Sequence, residues 1–346
     1  MLFSEAVEAF LAARAAEGTR PNTLSNYRRD ARQFISVVGD IGPIKGRWEQ
    51  GVVVGGLSPA HVDMVLASMA ERGYAPGTIN IFQSSMRALC KWLRARGMLL
   101  PDQDPLAGRK WLSDPPKARK RLSVGQTKAL LEADLHPRDK MVVALGIFLF
   151  LRQSEARTIR ISDVDLETNR IRVIIHKTRE ADIMVIPMEL RPILREWLTY
   201  YSTQAGPLQP DWYLIPAKSG AQFGDPEPTL RPTKQLDRVA DVVNAALDKI
   251  GFPTKDEKGR STREGMHTLR RSSALNLYHE QVGLGVDRAL TTAQSFLHHR
   301  SVTMTERYLG LESGRETRNK EFDSRPLFPS MVEKDNVRHL PVRREA

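Results

Sequence analysis

The chain has 346 residues, 41% of them hydrophobic, and a formal net charge of +11. That length is comfortable for two domains, the apolar content supports real cores and excludes a disordered chain, and the positive balance points to a polyanionic partner. A single cysteine, Cys90, excludes a disulfide framework and a thiolate metal site, and its helical setting reads as a buried position.

The first hundred residues read as four helices. Phe3 to Ala16 carries Phe3, Val7, Phe10 and Leu11 at helical spacing, while Glu5 and Glu8 make this stretch unlike a secretory signal. A second helix opens at Pro21-Asn22-Thr23 and runs through Tyr27, Ala31 and Phe34 to about Val38, with Arg28, Arg29 and Arg32 on its polar side. Ser58-Pro59 starts a third, stopped by Gly73, and Pro76-Gly77-Thr78 starts a fourth, ended by Gly97. Short connections predict a compact bundle.

Residues 101–121 combine four prolines with Arg109, Lys110, Lys117, Arg119, Lys120 and Arg121. This is a basic linker, and the domain boundary is expected near 115. Helices Ser123–Ala133 and Arg138–Leu151 follow; the apolar run Met141 to Leu151 is too short to span a bilayer. Strand signals come next: a short run over Ile159 to Leu166, clean alternation at Ile171, Val173 and Ile175, and a return strand marked by Ile183, Val185 and Pro187. Helical segments then dominate at Leu190–Tyr201, Leu236–Ile250, His267–His279, Arg288–Leu297 and Val302–Leu309, with residues 205–232 and 252–265 read as loops. The expected fold is mainly α (α+β): a four-helix bundle, then a mostly helical domain holding one small three-stranded antiparallel sheet.

Six side chains in order suggest a chemistry. Arg152 follows an apolar helix, with Glu155 one turn on to orient its guanidinium, and Lys177 sits between two strands. His267 and Arg270 are spaced i, i+3 and share a helix face, which Arg271 could join; His299 precedes Tyr308 by nine residues. A phenol is a poor nucleophile at neutral pH unless cations or a base assist it. Two arginines can hold the non-bridging oxygens of a phosphodiester and stabilise its pentacoordinate transition state. A lysine can protonate the departing oxygen and a histidine can take or share the phenol proton. The His298-His299 pair lacks carboxylate or cysteine companions at metal-site spacing, so no metal is expected.

The ordered phrases Arg152-Gln-Ser-Glu155, His176-Lys177-Thr178, His267-Thr-Leu-Arg270 and Leu297-His-His299-Arg-Ser-Val-Thr-Met-Thr-Glu-Arg-Tyr308 resemble the tyrosine recombinase (phage integrase) family. Pro21-Asn-Thr-Leu-Ser-Asn-Tyr27 and Ala75-Pro-Gly-Thr-Ile79 resemble that family's helical core-binding domain. The resemblance spans roughly residues 3 to 310. It implies a site-specific DNA recombinase that cleaves and rejoins strands through a 3′-phosphotyrosine. Tyr308 would be the nucleophile, Arg152 and Arg270 the phosphate clamp, Lys177 the general acid, His267 the acid/base helper, His299 a hydrogen bond to the phosphate, and Glu155 their support. Residues 1–115 would bind DNA, 116–310 would carry the chemistry, and 311–346 would form a tail that docks on a neighbouring protomer through Phe322, Leu327, Phe328, Met331 and Val332.

The chain departs from the family pattern in three places: Phe150 stands where glycine is usual, Arg271 follows the second arginine where histidine is common, and Leu297-His298-His299-Arg300 replaces Leu-Gly-His-Ser. Arg271 and Arg300 could add phosphate contacts. Other DNA-binding candidates are Arg28, Arg29, Arg87, Lys91 and Arg94 on helix polar faces, and Lys117, Arg119, Lys120 and Arg121 in the linker.

The implied partners are double-stranded DNA with short inverted-repeat core sites, a second copy on one site, four copies in the synaptic complex, and accessory proteins. No cofactor and no membrane are implied, and the protein is expected in the cytoplasm, associated with the nucleoid. The start of the helical domain near Met1 suggests a simple type without an arm-binding domain. Alternatives on the same chemistry are a type IB topoisomerase or a telomere resolvase; an alternative of another class is a non-catalytic DNA-binding regulator on this scaffold.

Overall fold

The computed structural model describes residues 2–40, 54–113, 120–175, 180–219, 229–255, 259, 262 and 264–311. The chain divides into two compact units, Met1–Ala118 and Arg119–Ala346. Among the described residues no helix is long and apolar enough to cross a membrane.

The first unit is built from α1 (Phe3–Ala16), α2 (Pro21–Asp40), α3 (Pro59–Glu71) and α4 (Pro76–Arg94). Proline opens α2, α3 and α4, where its missing N–H costs no helical bond. The apolar stripes predicted above meet in one core: Phe3, Phe10, Phe34, Phe82, Met86 and Leu93 are all essentially inaccessible. Cys90 lies in that core, its thiol pushed up to about 12, chiefly by burial and secondarily by Asp104. It is therefore an inert packing residue at neutral pH.

Past α4, the linker's first residues lie along this unit. Asn80 exchanges two hydrogen bonds of 2.9 Å with the Leu112 backbone. Arg87 stacks 4.0 Å over the Trp111 ring and donates to the Arg109 carbonyl at 2.6 Å.

The second unit centres on α6 (Pro137–Phe148), which is buried at every residue from Met141 to Ile147. Around it pack α5 (Val124–Glu132), the single turn α7 (Gln153–Ala156), α8 (Leu190–Ala205), α9 (Val239–Lys249) and α10 (Met266–Gln281), while α11 (Val286–Leu297) and α12 (Val302–Leu309) pack on α10. Gly146 lets α10 come close: a Cβ there would sit 3.0 Å from Leu269 Cδ1 and 3.1 Å from Met266 Sδ.

An antiparallel sheet of β1 (Val164–Asp165), β2 (Arg170–Ile175) and β3 (Glu180–Val185) runs in that order. Two expectations need correction. The strand foreseen over Ile159 to Leu166 shrinks to two residues, because Ile161–Asp163 turns into a 3-10 helix. On β3 the residues that enter the core are Met184 and, just beyond it, Ile186, while Ile183 and Val185 face solvent at 67% and 50% exposure. The register explains this: Met184 lies opposite the buried Ile171 and Asp182 opposite the buried Val173, and directly paired residues share a face.

Second, residues 205–232 are not all loop. β4 (Pro216–Lys218) pairs with β5 (Leu230–Gln235) in a second, two-stranded sheet. Pro216 and Pro232 masked it in the sequence; in a two-stranded ribbon every strand is an edge, which proline tolerates.

Candidate active site

The site assembles where four segments of the second unit meet. Arg152 is the N-cap of α7, and Glu155 one turn on is fully buried. Glu155 accepts from the Arg152 backbone N–H at 2.7 Å and from its Nη1 at 2.7 Å, so one carboxylate fixes both ends of that residue. Its Oε2 also lies 3.7 Å from Arg270 Nη1. A single buried anion thus serves two guanidinium groups.

Arg270, on α10, is 1% exposed. Its Nη1 donates to the Phe150 carbonyl past the end of α6, and its Nη2 to the Leu297 carbonyl at the end of α11. Burial first, and the Arg152 charge second, pull this guanidinium down to about 10; Tyr308 and Glu155 work in the opposite direction. It remains charged at neutral pH, and two of its five N–H groups are used on those carbonyls.

Phe150 and His298 hold the left-handed backbone at φ 49° and 48°. These are two of the positions where glycine is usual in the family that the sequence resembles. Left-handed geometry turns the chain sharply after α6 and α11, and leaves Phe150 O and Leu297 O aimed at Arg270. Phe150 is held there by packing, its ring 5.0 Å from that of Phe296.

His267 stands one turn before Arg270, at the exposed edge of α10. Partial burial of its ring, then the charges of Arg270, Arg152 and Arg271, hold it below the ordinary histidine value, against the pull of Glu155. It is therefore neutral at pH 7 and able to accept a proton.

α12 starts at Ser301, whose hydroxyl accepts from Met304 N, and carries Tyr308. The phenol ring meets His299 edge to face, centroids 5.2 Å apart, and its oxygen is shut off from solvent beside Arg270. His299 is steered by its Nδ1 contact with Thr305 Oγ1 at 3.2 Å. His298 turns the other way, to Asp182.

The structure therefore brings Arg152, Glu155, His267, Arg270, His299 and Tyr308 together. Lys177, Lys117, Arg119 and the tail over 312–346 lie outside the described residues. The other cations are mostly engaged within the fold. Arg28 pairs with Glu8 at 3.6 Å, Arg29 with Asp30 at 2.8 Å and Arg94 with Asp104 at 2.8 Å. Arg87 holds the linker, while Lys91 and Arg300 are exposed.

Two arginines read as nucleic-acid contacts serve as staples. Arg271 Nη2 donates to the Lys120 carbonyl at 2.6 Å, and Arg121 Nη2 caps α12 through the Leu309 carbonyl at 2.6 Å. Lys120 Nζ in turn donates to the Pro253 carbonyl at 2.5 Å. Sequence reasoning did not find Asp182, Thr305 or the capping work of Arg121, since each acts through a residue distant in sequence or through backbone. No group of residues suited to hold a metal ion occurs among the described residues.

A buried carboxylate, paired guanidinium groups, two imidazoles and a phenol define a pocket suited to phosphoryl transfer onto tyrosine. Residues 120–314 match the profile of the phage integrase family, and the chain belongs to that family. It is 24% identical over 299 residues to the tyrosine recombinase XerC of Proteus mirabilis, covering 84% of each chain. Its fold is similar to that of a lambda integrase fragment in a dimer bound to a core site (TM-score 0.62, 15% identity, 88% of this chain and 97% of that one). It is likewise similar to lambda integrase in a tetramer bound to a Holliday junction (TM-score 0.61, 15% identity, 89% of this chain and 77% of that one).

Proposed function

We propose that this protein is a site-specific DNA recombinase that breaks and rejoins strands through a 3′-phosphotyrosine at Tyr308. The observation that carries the reading is the phenol oxygen of Tyr308 lying against a buried guanidinium that shares its counter-anion with a second one.

Each step balances without an external energy source. The Tyr308 oxygen attacks phosphorus as its proton passes to His267, the neutral base beside the clamp. Arg152, Arg270 and His299 stabilise the charge that gathers on the non-bridging oxygens. The bond from phosphorus to the 5′ oxygen breaks, and that oxygen leaves as a hydroxyl with a proton from Lys177. Attack by another 5′ hydroxyl on the phosphotyrosine reverses the sequence, releases Tyr308 and joins a new strand. Removing one such donor from a preorganised site typically raises the barrier by about 3–4 kcal/mol.

In this reading the first unit grips duplex DNA and the second carries the chemistry, with action at the nucleoid in the cytoplasm. Lambda integrase forms a dimer on a core site and a tetramer on a Holliday junction, which supports the same assembly here on short inverted repeats.

The test uses nicked suicide duplexes tiled across the DNA flanking the gene, incubated without metal and resolved on denaturing gels. Wild type is expected to give a covalent protein–DNA band on one duplex, and Tyr308→Phe none. A band that survives in Tyr308→Phe would move the nucleophile elsewhere. Tight binding with no covalent product on any duplex would favour a regulator.

A further inference from the structure

His298 holds φ 48°, ψ 43°, a conformation that costs a side-chain-bearing residue roughly 1–2 kcal/mol relative to the right-handed region and costs glycine almost nothing. A residue kept against that cost is held there by something else. Its Nε2 donates to Asp182 Oδ2 at 2.7 Å, across 116 residues of chain. Its other ring nitrogen has no hydrogen-bond partner among the described residues, so the Asp182 bond is what orients the ring.

Asp182 is suited to receive it. It lies opposite Val173 in the β2–β3 register, on the face turned towards the body of the unit, whereas its neighbour Ile183 points to solvent. The pair therefore ties β3 to the turn that joins α11 to α12. The residue next in sequence is His299, packed on the Tyr308 ring.

The other anchors described for this turn reach α10, α11 and α12. Arg270 donates to Leu297 O, Gln294 Nε2 to His299 O at 3.0 Å, and Thr305 Oγ1 meets His299 Nδ1. The clasp adds the sheet to that set.

We propose that His298 and Asp182 act as a pair of positioning residues, clasping β3 to the α11–α12 turn so that His299 and the tyrosine helix are set for strand cleavage. The proposal rests on the recombinase reading above. Neither residue touches the reacting atoms. The clasp instead removes freedom from the backbone that carries His299, whose misplacement by about an ångström is enough to cost on the order of a hundredfold in rate.

The experiment compares wild type with His298→Gly, Asp182→Ala, the double variant and Asp182→Asn. Single-turnover rates of covalent complex formation are measured on the suicide duplex that wild type cleaves, at saturating protein, with dissociation constants for that duplex and calorimetric melting points taken in parallel. His298→Gly removes backbone strain, so a residue that matters only for folding would leave the rate unchanged.

The expected result is a rate about tenfold lower for His298→Gly and for Asp182→Ala, with DNA affinity unchanged and His298→Gly melting no lower than Asp182→Ala. The double variant should be no slower than either single one, as coupled partners require. Asp182→Asn, whose amide oxygen still accepts from Nε2, should keep most of the rate. A wild-type rate in His298→Gly, or a double variant slowed by the product of the two single losses, would overturn the clasp. If wild type forms no covalent product on any duplex, the recombinase reading itself falls and takes the clasp with it.

Discussion

Glu155→Gln tests the electrostatic design of the site. The carboxylate is fully buried and faces three N–H groups: the Arg152 amide and Nη1, each at 2.7 Å, and Arg270 Nη1 at 3.7 Å. A glutamine fits the space but offers one acceptor oxygen, so its NH2 must confront either the Arg152 amide or a guanidinium. Two cations in low dielectric also lose their shared anion. Breaking a buried pair in this way typically costs 3–5 kcal/mol; because the Arg152 side chain is 22% exposed and partly screened, the lower end applies, about 3 kcal/mol.

For a unit of this size that loss lowers the melting temperature by roughly 6–12 °C. Calorimetry of the full chain measures it directly. Cleavage should fall by about a hundredfold at saturating DNA, since the clamp that meets the transition state is the same pair of arginines. Added sulfate should restore more stability to the variant than to wild type, by resupplying an anion between the arginines. A variant that melts with wild type and cleaves at the wild-type rate would refute the claim that one carboxylate sustains both guanidinium groups.

Phe150→Gly sets two effects against each other. Relief of the left-handed strain returns about 1–2 kcal/mol, whereas emptying a buried phenyl site costs about 3–5 kcal/mol, so net destabilisation is expected in urea unfolding. Gly146→Ala forces a Cβ to within 3.0–3.2 Å of Leu269 and Met266, in the turn of α10 that leads into Arg270; cleavage should fall by more than tenfold while the melting point moves by only a few degrees. The third prediction concerns pH. The folded His267 value lies below the unfolded one, so on acidification the unfolded state takes up the proton first. Stability is thus lost as pH falls through the ordinary histidine range near about 6.5 and down to the folded value, and His267→Gln should remove that part of the acid sensitivity in melts between pH 5 and about 8. The same protonation removes the proton acceptor, so the cleavage rate should decline on the acid side of neutrality in wild type.

Local patterns made much of the fold legible. α1 and α12 carry amphipathic spacing bounded by unmistakable punctuation: Glu17-Gly18 after the first, Ser301 before and Gly310 after the second. The Arg152–Glu155 pair and the common face of His267 and Arg270 follow from helical spacing alone. What local pattern does not contain is the partner. The alternation of Ile183 and Val185 marks a strand but not which face it buries; the register with β2 turns them out and brings Asp182 inward. The β4–β5 ribbon was hidden because proline is a strand breaker everywhere except at an edge. Arg121 reads as a DNA-facing linker cation, and only the tertiary fold sets it against a carbonyl 188 residues away.

Arg270 shows why site and fold are difficult to separate in this chain. Its guanidinium closes the ends of α6 and α11, shares the anion of α7 and faces the phenol of α12, so four segments reach their relative positions through one side chain. That arrangement needs carbonyls that point inward at two sharp turns, and both turns are made by residues in left-handed geometry. Glycine would make either turn without strain. Phe150 instead anchors its turn by packing on Phe296, and His298 anchors its turn by bonding to Asp182. The strain at these two positions is thus the cost of fixing the carbonyls that hold the clamp. An arginine fixed in this way needs little reorganisation when a phosphate arrives, and that preorganisation makes its charge effective on a transition state.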